Sequence, residues 1–386
     1  MGRRSKAMIL SGILFLGVYL CGFFLSAGKP LWLDEHFSMT RSIDGISYAE
    51  ILQGRLPWEG NNFPLFYIVQ KFWCGLVSYD VRSLLPVRSP GGMLFYGDPF
   101  SNIYLRLISI FLMALAPAAF FYYFYRRYSW GWGCFAALLC LSSWPLWWYG
   151  LEARPYIYFF TLTTLQAIIF LEVFRKRSGE GKLWVWFGII NVLLSLTMST
   201  SIFQTLLMGT GCLVYFRKYL SRRMIFWVFI LPIAITLYYY SFGLKGSFWF
   251  AVPLYKYYFS NISWDILVVS GLFIACAGLS WLNRGEKRSA MPIALLAASL
   301  SVVYFVFMVF LKTQELPLGQ GGSPFAHRYL INLVPVGILA MTIFSRALLR
   351  SFKDVRIKVC FIVFLVIVLA WRFIYTFDYT HSWIGL

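Results

Sequence analysis

The sequence predicts an all-α integral membrane protein that crosses the bilayer about eleven times. Three observations lead there. Residues of the hydrophobic class make up 60% of the chain and charged ones only 13%, against about 45–50% and about 25% in soluble domains. Apolar runs long enough to span a bilayer recur from end to end. The basic residues gather in short clusters between those runs, where they act as topology signals. The net charge of +19 is therefore not the footprint of a nucleic acid, and no nucleic-acid partner is expected. The seven cysteines lie scattered through apolar segments with no C-x-x-C spacing, so they read as small core hydrophobes.

Residues 1–27 form the N-terminal transmembrane helix. Arg3, Arg4 and Lys6 precede Met8–Ala27, an apolar stretch longer than the roughly 7–15 residues of a signal-peptide core, so it reads as a retained span. Residues 28–102 make a long outer loop with interfacial helices and acidic residues, too long for a plain connector. Ile43, Ile46, Ala49 and Leu52 recur every three residues, which predicts a short amphipathic helix ended by Pro57. Phe63–Tyr79 is apolar but carries Gln70 and Lys71 and sits at the lower length limit for a span. Charge decides its role. If it does not cross, the clusters at 126–127, 175–182, 217–223, 284–288 and 346–358 all face the cytoplasm with the N-terminus. If it crosses, they are thrown outward against the positive-inside rule. It is expected to lie in the outer interface. Arg82–Pro99, rich in Pro and Gly, reads as an irregular loop.

Residues 103–243 form the transmembrane core, with runs at Ile103–Tyr125, Ser129–Trp148, Pro155–Phe174, Leu183–Thr200, Ser201–Phe216 and Met224–Gly243. Leu183–Phe216 would extend about 51 Å as one helix, so the polar run Thr197–Ser201 is expected to turn. Residues 244–263 form an aromatic outer loop that either covers a lipid groove or lies at the interface. Residues 264–386 hold the C-terminal transmembrane helices Trp264–Leu282, Ala290–Leu311, Tyr329–Leu349 and Val359–Phe377, with an outer gate loop at 312–328 around Gly319-Gln320-Gly321-Gly322. This threading puts most carboxylates and all three histidines (His36, His327, His381) outside, so the chemical face is expected there.

Three outer segments carry side chains suited to chemistry. Asp34 and Glu35 lie in Leu31-Trp32-Leu33-Asp34-Glu35-His36, just beyond the first span. A carboxylate beside a bilayer either stays solvated or serves a substrate, for instance as a base toward a hydroxyl or amine. In Glu152-Ala153-Arg154-Pro155-Tyr156, Arg154 offers a planar fork for phosphate and Glu152 either binds sugar hydroxyls or orients the arginine. A structural Glu152–Arg154 pair is the competing reading. In His327-Arg328-Tyr329, Arg328 stands at the depth of a lipid phosphate, or else snorkels. Arg106, near the outer start of a span, reads as a snorkelling arginine. The histidines form no H-x-x-x-H pattern, and no metal ligand set is assigned. A membrane enzyme acting on an anionic lipid-linked substrate is the reading these sites favour.

The segments Trp32-Leu33-Asp34-Glu35, Pro64-Leu65-Phe66-Tyr67, Arg106-Leu107-Ile108-Ser109, Glu152-Ala153-Arg154-Pro155-Tyr156 and Arg328-Tyr329, with Pro335 after them, resemble the GT-C superfamily of polyprenyl-phosphate-sugar glycosyltransferases. The branch they are most similar to is the bacterial glycosyltransferase 39 type, related to protein O-mannosyltransferases and the lipid A aminoarabinose transferase. The resemblance covers residues 8 to about 180 well and the rest loosely. It implies an aspartate base at Asp34, with Glu35 in the same catalytic motif. It also implies that Glu152 and Arg154 lie near the donor or acceptor sugar and Arg328 near the carrier phosphate, with Tyr156, His327 and Tyr329 as further substrate-binding residues. The expected partners are a polyprenyl-phosphate sugar donor, an acceptor that the sequence does not name, and the lipid bilayer. The expected setting is a bacterial inner membrane. Asn61-Asn62 stands before Pro64 where the aminoarabinose branch has an acidic–basic pair, so a divalent cation is neither required nor excluded and no other cofactor is expected. No large outer C-terminal domain follows, which points to a small or lipidic acceptor. The alternative is a transporter or flippase for an anionic lipid-linked substrate; a non-catalytic membrane subunit is a third reading.

Overall fold

The computed structural model describes residues 2–27, 29, 31, 33–56, 63–79, 86–88, 94–96, 99–176, 181–216, 220–243, 296 and 331–384. The protein is helical, and the long helices run back and forth between two ends of a bundle. In chain order the bundle holds α1 (Arg3–Ala27), α5 (Pro99–Arg127), α6 (Trp130–Leu141), the short α7 (Trp144–Gly150) and α8 (Tyr156–Lys176). After them come α9 (Gly181–Ser195), α10 (Ser201–Phe216), α11 (Arg222–Ile225) and α12 (Leu231–Gly243), then α13 (Leu333–Ser351) and α14 (Val355–Ile384). Between α1 and α5 lie α2 (Leu33–Ser42), α3 (Tyr48–Leu52), α4 (Pro64–Leu76) and a two-stranded antiparallel hairpin, β1 (Pro86–Arg88) with β2 (Leu94–Tyr96). The hairpin falls in the stretch expected to be irregular; strand formers such as Val87, Phe95 and Tyr96 flank Pro90-Gly91-Gly92 there.

Six helices among the described residues are long and apolar enough to cross a membrane: Arg3–Ala27, Asn102–Arg127, Tyr156–Lys176, Arg222–Tyr239, Leu333–Ser351 and Val355–Phe377. Trp130–Leu141, Gly181–Ser195 and Ser201–Tyr215 are apolar but shorter. A multi-pass membrane protein follows. The segments Trp264–Leu282 and 297–311, the aromatic loop and the gate loop lie outside the described residues. Helix α8 is enclosed by its neighbours, with Ile157, Phe159, Phe160, Ala167 and Leu171 all buried and Gln166 buried among them. Helices α1 and α14 instead leave Ile9, Ile13, Leu16, Val363, Ile367 and Ile374 exposed, as lipid-facing helices do.

The expected span Ser129–Trp148 is not one helix. It breaks at Ser142-Ser143 between α6 and α7. Pro145 in the first turn of α7 cannot continue a helical ladder, and the hydroxyls of Ser142 and Ser143 both donate back to the Leu139 carbonyl. Arg372 on α14 closes the gap, donating to both hydroxyls at 3.1 and 3.0 Å. The expected turn between α9 and α10 is present over residues 196–200.

A proline also shapes the segment from α11 to α12. Pro232 has no N–H to return to Val228 four residues back. Residues Phe226–Ile230 widen into a π turn, with the Leu231 N–H reaching Phe226 O. Asn191 Nδ2 supplies a donor to the Val228 carbonyl at 2.8 Å. Asn191 in turn accepts from Gln166, Gln166 from Gln204, and Gln204 from Asn332, at 2.7–2.8 Å. One amide chain thus stitches α8, α9, α10 and the start of α13 where apolar packing alone would not fix register.

The basic end of the bundle is tied by its own contacts. Arg3 donates to the Tyr125 and Tyr128 carbonyls at the end of α5. Arg127 and Arg175 both pair with Glu172, and the Arg346 guanidinium lies 3.9 Å from the Tyr128 ring centre.

Candidate functional site

The other end of the bundle gathers Asp34, Glu35, Arg106, Glu152 and Arg154. Helix α4 leads the way. Pro64 occupies its first turn, where a missing N–H costs nothing. The next N–H, from Leu65, reaches Leu196 O in the α9–α10 turn at 2.9 Å. Midway along α4, Gln70 donates to Leu105 O at 2.8 Å and Lys71 to Ile43 O at 2.9 Å. Residues before and after α4 therefore meet at one end, and α4 lies along that end and does not traverse the bundle.

Asp34 and Glu35 share the first turn of α2. Consecutive helical residues point roughly 100° apart, so one side chain enters the protein while the other stays at its rim. Glu35 enters. Its two oxygens take Arg106 Nε at 2.9 Å and Nη2 at 2.6 Å, and the Ala153 N–H donates to Oε1 at 2.7 Å. Arg106 gives Nη1 to the Lys29 carbonyl at 2.5 Å. Both members of the pair are fully buried. One ion pair thus joins the end of α1, the start of α2, the start of α5 and the α7–α8 loop.

Lys29 and Glu152, both buried, lie beside this pair. Burial pushes the Lys29 amine down to about 7; the fields of Glu152 and Glu35 oppose that fall and Arg106 adds to it. Burial alone would raise the Glu35 carboxyl, but the charge and hydrogen bonds of Arg106, the charge of Lys29 and the Ala153 N–H outweigh it and hold it below its ordinary value. Glu35 is fixed as an anion. His36 is pushed down by burial and by Arg41, which favours the neutral imidazole at pH 7.

Asp34 stays at the rim, its side chain 32% exposed. Arg154 reaches it from the α7–α8 loop, with Nη1 donating to Asp34 O at 3.1 Å and to the Ser38 hydroxyl. Arg154 Nη2 stands 3.7 Å from Asp34 Oδ2. The guanidinium carbon lies 5.6 Å from the Tyr156 ring centre, and that ring packs against Tyr149 at 4.9 Å. The loop gets its position from Gly150 at the end of α7, which sits directly on Met113 of α5, where no Cβ would fit.

The structure therefore brings together Asp34, Glu35, Glu152, Arg154 and Tyr156. His327, Arg328 and Tyr329 lie outside the described residues, as do Asn61-Asn62. The snorkelling reading of Arg106 is corrected: the guanidinium points inward because Glu35, two hydrogen bonds deep, offers what water would otherwise supply. Lys29 and Ser38 join the site without having been singled out. For Ser38 a signal existed, since it lies four residues from Asp34 on one helical face; Lys29 gave none. Among the described residues no three His, Cys, Asp or Glu side chains gather as a metal site.

Among the described residues of this cluster, Asp34 is the carboxylate left part-exposed, with the buried Arg154 beside it. Everything beneath them is a buried frame. A carboxylate that meets solvent next to a guanidinium can take a proton from a substrate whose anionic group the guanidinium holds. No model of a known protein family matches this chain, and no curated protein matches it.

Proposed function

We propose that this protein is a membrane glycosyltransferase of the GT-C type that moves a sugar from a polyprenyl-phosphate carrier to a lipid, glycan or protein acceptor. It crosses the membrane eleven times, with a cytoplasmic N-terminus and the Asp34 site on the outer face of a bacterial inner membrane. The observation that carries this reading is the meeting of three separate segments, 34–35, 106 and 152–156, at one end of the bundle, with Gln70, just beyond 64–67, bonded to the Leu105 carbonyl beside Arg106. These are the segments in which the sequence resembles that superfamily.

The reaction is a single inverting displacement. Asp34 takes the proton of an acceptor hydroxyl or amine as that atom attacks the anomeric carbon. The bond from the anomeric carbon to the phosphate oxygen breaks, its electron pair stays with the oxygen, and polyprenyl phosphate leaves. Arg154 and Arg328 stabilise the growing negative charge. Glu35, already saturated by Arg106 and Ala153, holds Asp34 in place and exchanges no proton.

The test is to supply purified protein with a panel of polyprenyl-phosphate sugars, using membrane extract as the source of acceptor, and to follow release of polyprenyl phosphate by mass spectrometry. Release supports the transferase. Movement of intact donor between leaflets of proteoliposomes without release supports the transporter in its place.

A further inference from the structure

The basic end of the bundle carries cations that the fold itself does not use. Arg3 is engaged by the Tyr125 and Tyr128 carbonyls, which ties the start of α1 to the end of α5. Arg127 and Arg175 are engaged by Glu172. Arg4 and Lys6 flank Arg3 around the α1 axis, and Arg126 follows Tyr125 directly in the last turn of α5. These three are exposed, and among the described residues none of them forms an ion pair. Positive charge from two helices thus gathers around one tie. Deeper along α1 the exposed side is apolar. Ile9, Ile13, Leu16, Leu20 and Phe24 recur every three or four residues on the face headed by Lys6, while Ala7, Val18 and Gly22 are buried on the opposite one. Trp130, exposed where α6 begins, suits the level of lipid headgroups.

We propose that this end of α1 and α5 is a binding surface for an anionic phospholipid, with Arg4, Lys6 and Arg126 around its phosphate and the α1 stripe along its acyl chains. The fit has two parts. Basic side chains at the end of a membrane helix attract an anionic headgroup, and the apolar face beneath them accepts the chains that come with it. A soluble phosphate ester would meet the cations but not the stripe. A zwitterionic lipid would bring a cation of its own against the three already there. This surface lies at the opposite end from the Asp34 cluster and holds whichever reaction that cluster performs.

The probes are phosphatidylglycerol, phosphatidylcholine with the same chains, and glycerol phosphate, added to the purified full-length protein and measured by native mass spectrometry. Wild type is expected to retain phosphatidylglycerol in preference to both others. Arg126→Gln should weaken phosphatidylglycerol about fivefold, and removing all three charges (Arg4→Gln, Lys6→Gln and Arg126→Gln) should weaken it about a hundredfold, with phosphatidylcholine binding and the melting temperature unchanged. A control triple variant, Lys182→Gln, Arg222→Gln and Arg223→Gln, removes the same charge from exposed positions on α9 and α11 and should keep the wild-type preference. Equal losses in the two triple variants would reduce the effect to net charge and overturn the site. Unchanged binding by the folded Arg126→Gln protein, or equal binding of both lipids by wild type, would overturn it as well. Glycerol phosphate bound as tightly as the lipid would replace the lipid surface with a site for a soluble anion.

Discussion

Replacing Arg106 by Met tests whether the Glu35–Arg106 pair holds the site together. The substitution keeps an unbranched side chain but removes three N–H donors, two to Glu35 and one to the Lys29 carbonyl. Glu35 is left as a fully buried carboxylate that keeps the Ala153 N–H and the field of Lys29 but loses its charged partner. Breaking a buried pair by removing one partner costs about 3–5 kcal/mol, or about two to four powers of ten in the folding equilibrium. Lys29 compensates part of the stranded charge, so the lower end, about 3 kcal/mol, is expected. The assay is SDS-titrated unfolding in mixed micelles, followed by the fluorescence of the tryptophans. Glu35→Gln strands Arg106 in the same way, while the double variant leaves neither charge alone. Its cost should therefore fall well below the sum of the single costs. A single-variant cost under about 1 kcal/mol, or strict additivity, would refute the claim that this pair ties the four segments.

Three further outcomes follow from the same geometry. Gly150→Ala places a Cβ 2.3 Å from Met113 Sδ and 2.7 Å from its Cβ; the resulting overpacking should cost about 1–3 kcal/mol and shift the 152–154 loop, and adding Met113→Ala should restore the melting temperature. Asn191→Leu should cost about 0.6–1.7 kcal/mol, and less in a Pro232→Ala background, where residue 232 regains the N–H that Val228 lacks; an equal cost in both backgrounds would break that link. For Lys29, the folded value of about 7 lies below the ordinary 10.5, so between those limits the unfolded chain binds a proton that the folded one does not. Stability should rise with pH through that window, and Lys29→Met should flatten the rise; parallel pH profiles would count against the buried amine.

Much of this arrangement was legible in the amino-acid order, and what was not has identifiable causes. Spans could be read because length and apolarity are local properties, and the α9–α10 turn because 34 residues overrun a bilayer. The side of the membrane expected for α4 came from charge bookkeeping, while its contacts through Gln70 and Lys71 join it to Leu105 and Ile43. The break at Ser142-Ser143 escaped because each half is apolar, although Pro145 was the signal. The short α3 begins with a Ser47–Glu50 capping box, a local pattern more decisive than the three-residue periodicity. Asp34 and Arg154 stood out by residue type, but their different fates from Glu35 and Arg106 depend on which neighbour faces the core. That is a matter of residues 71 and 118 positions apart in the chain. The amide chain through Asn191 is likewise set by a carbonyl that only the folded π turn exposes.

The central claim is that Asp34 is the reacting carboxylate and that the rest of the cluster is its frame. Its most direct test compares wild type with Asp34→Asn, a near-isosteric change at the rim, in the polyprenyl-phosphate release assay. The account predicts a loss of about 10²–10⁴-fold in turnover, with donor binding and the SDS unfolding midpoint held. Equal release by both proteins would contradict it and move the base elsewhere in the site.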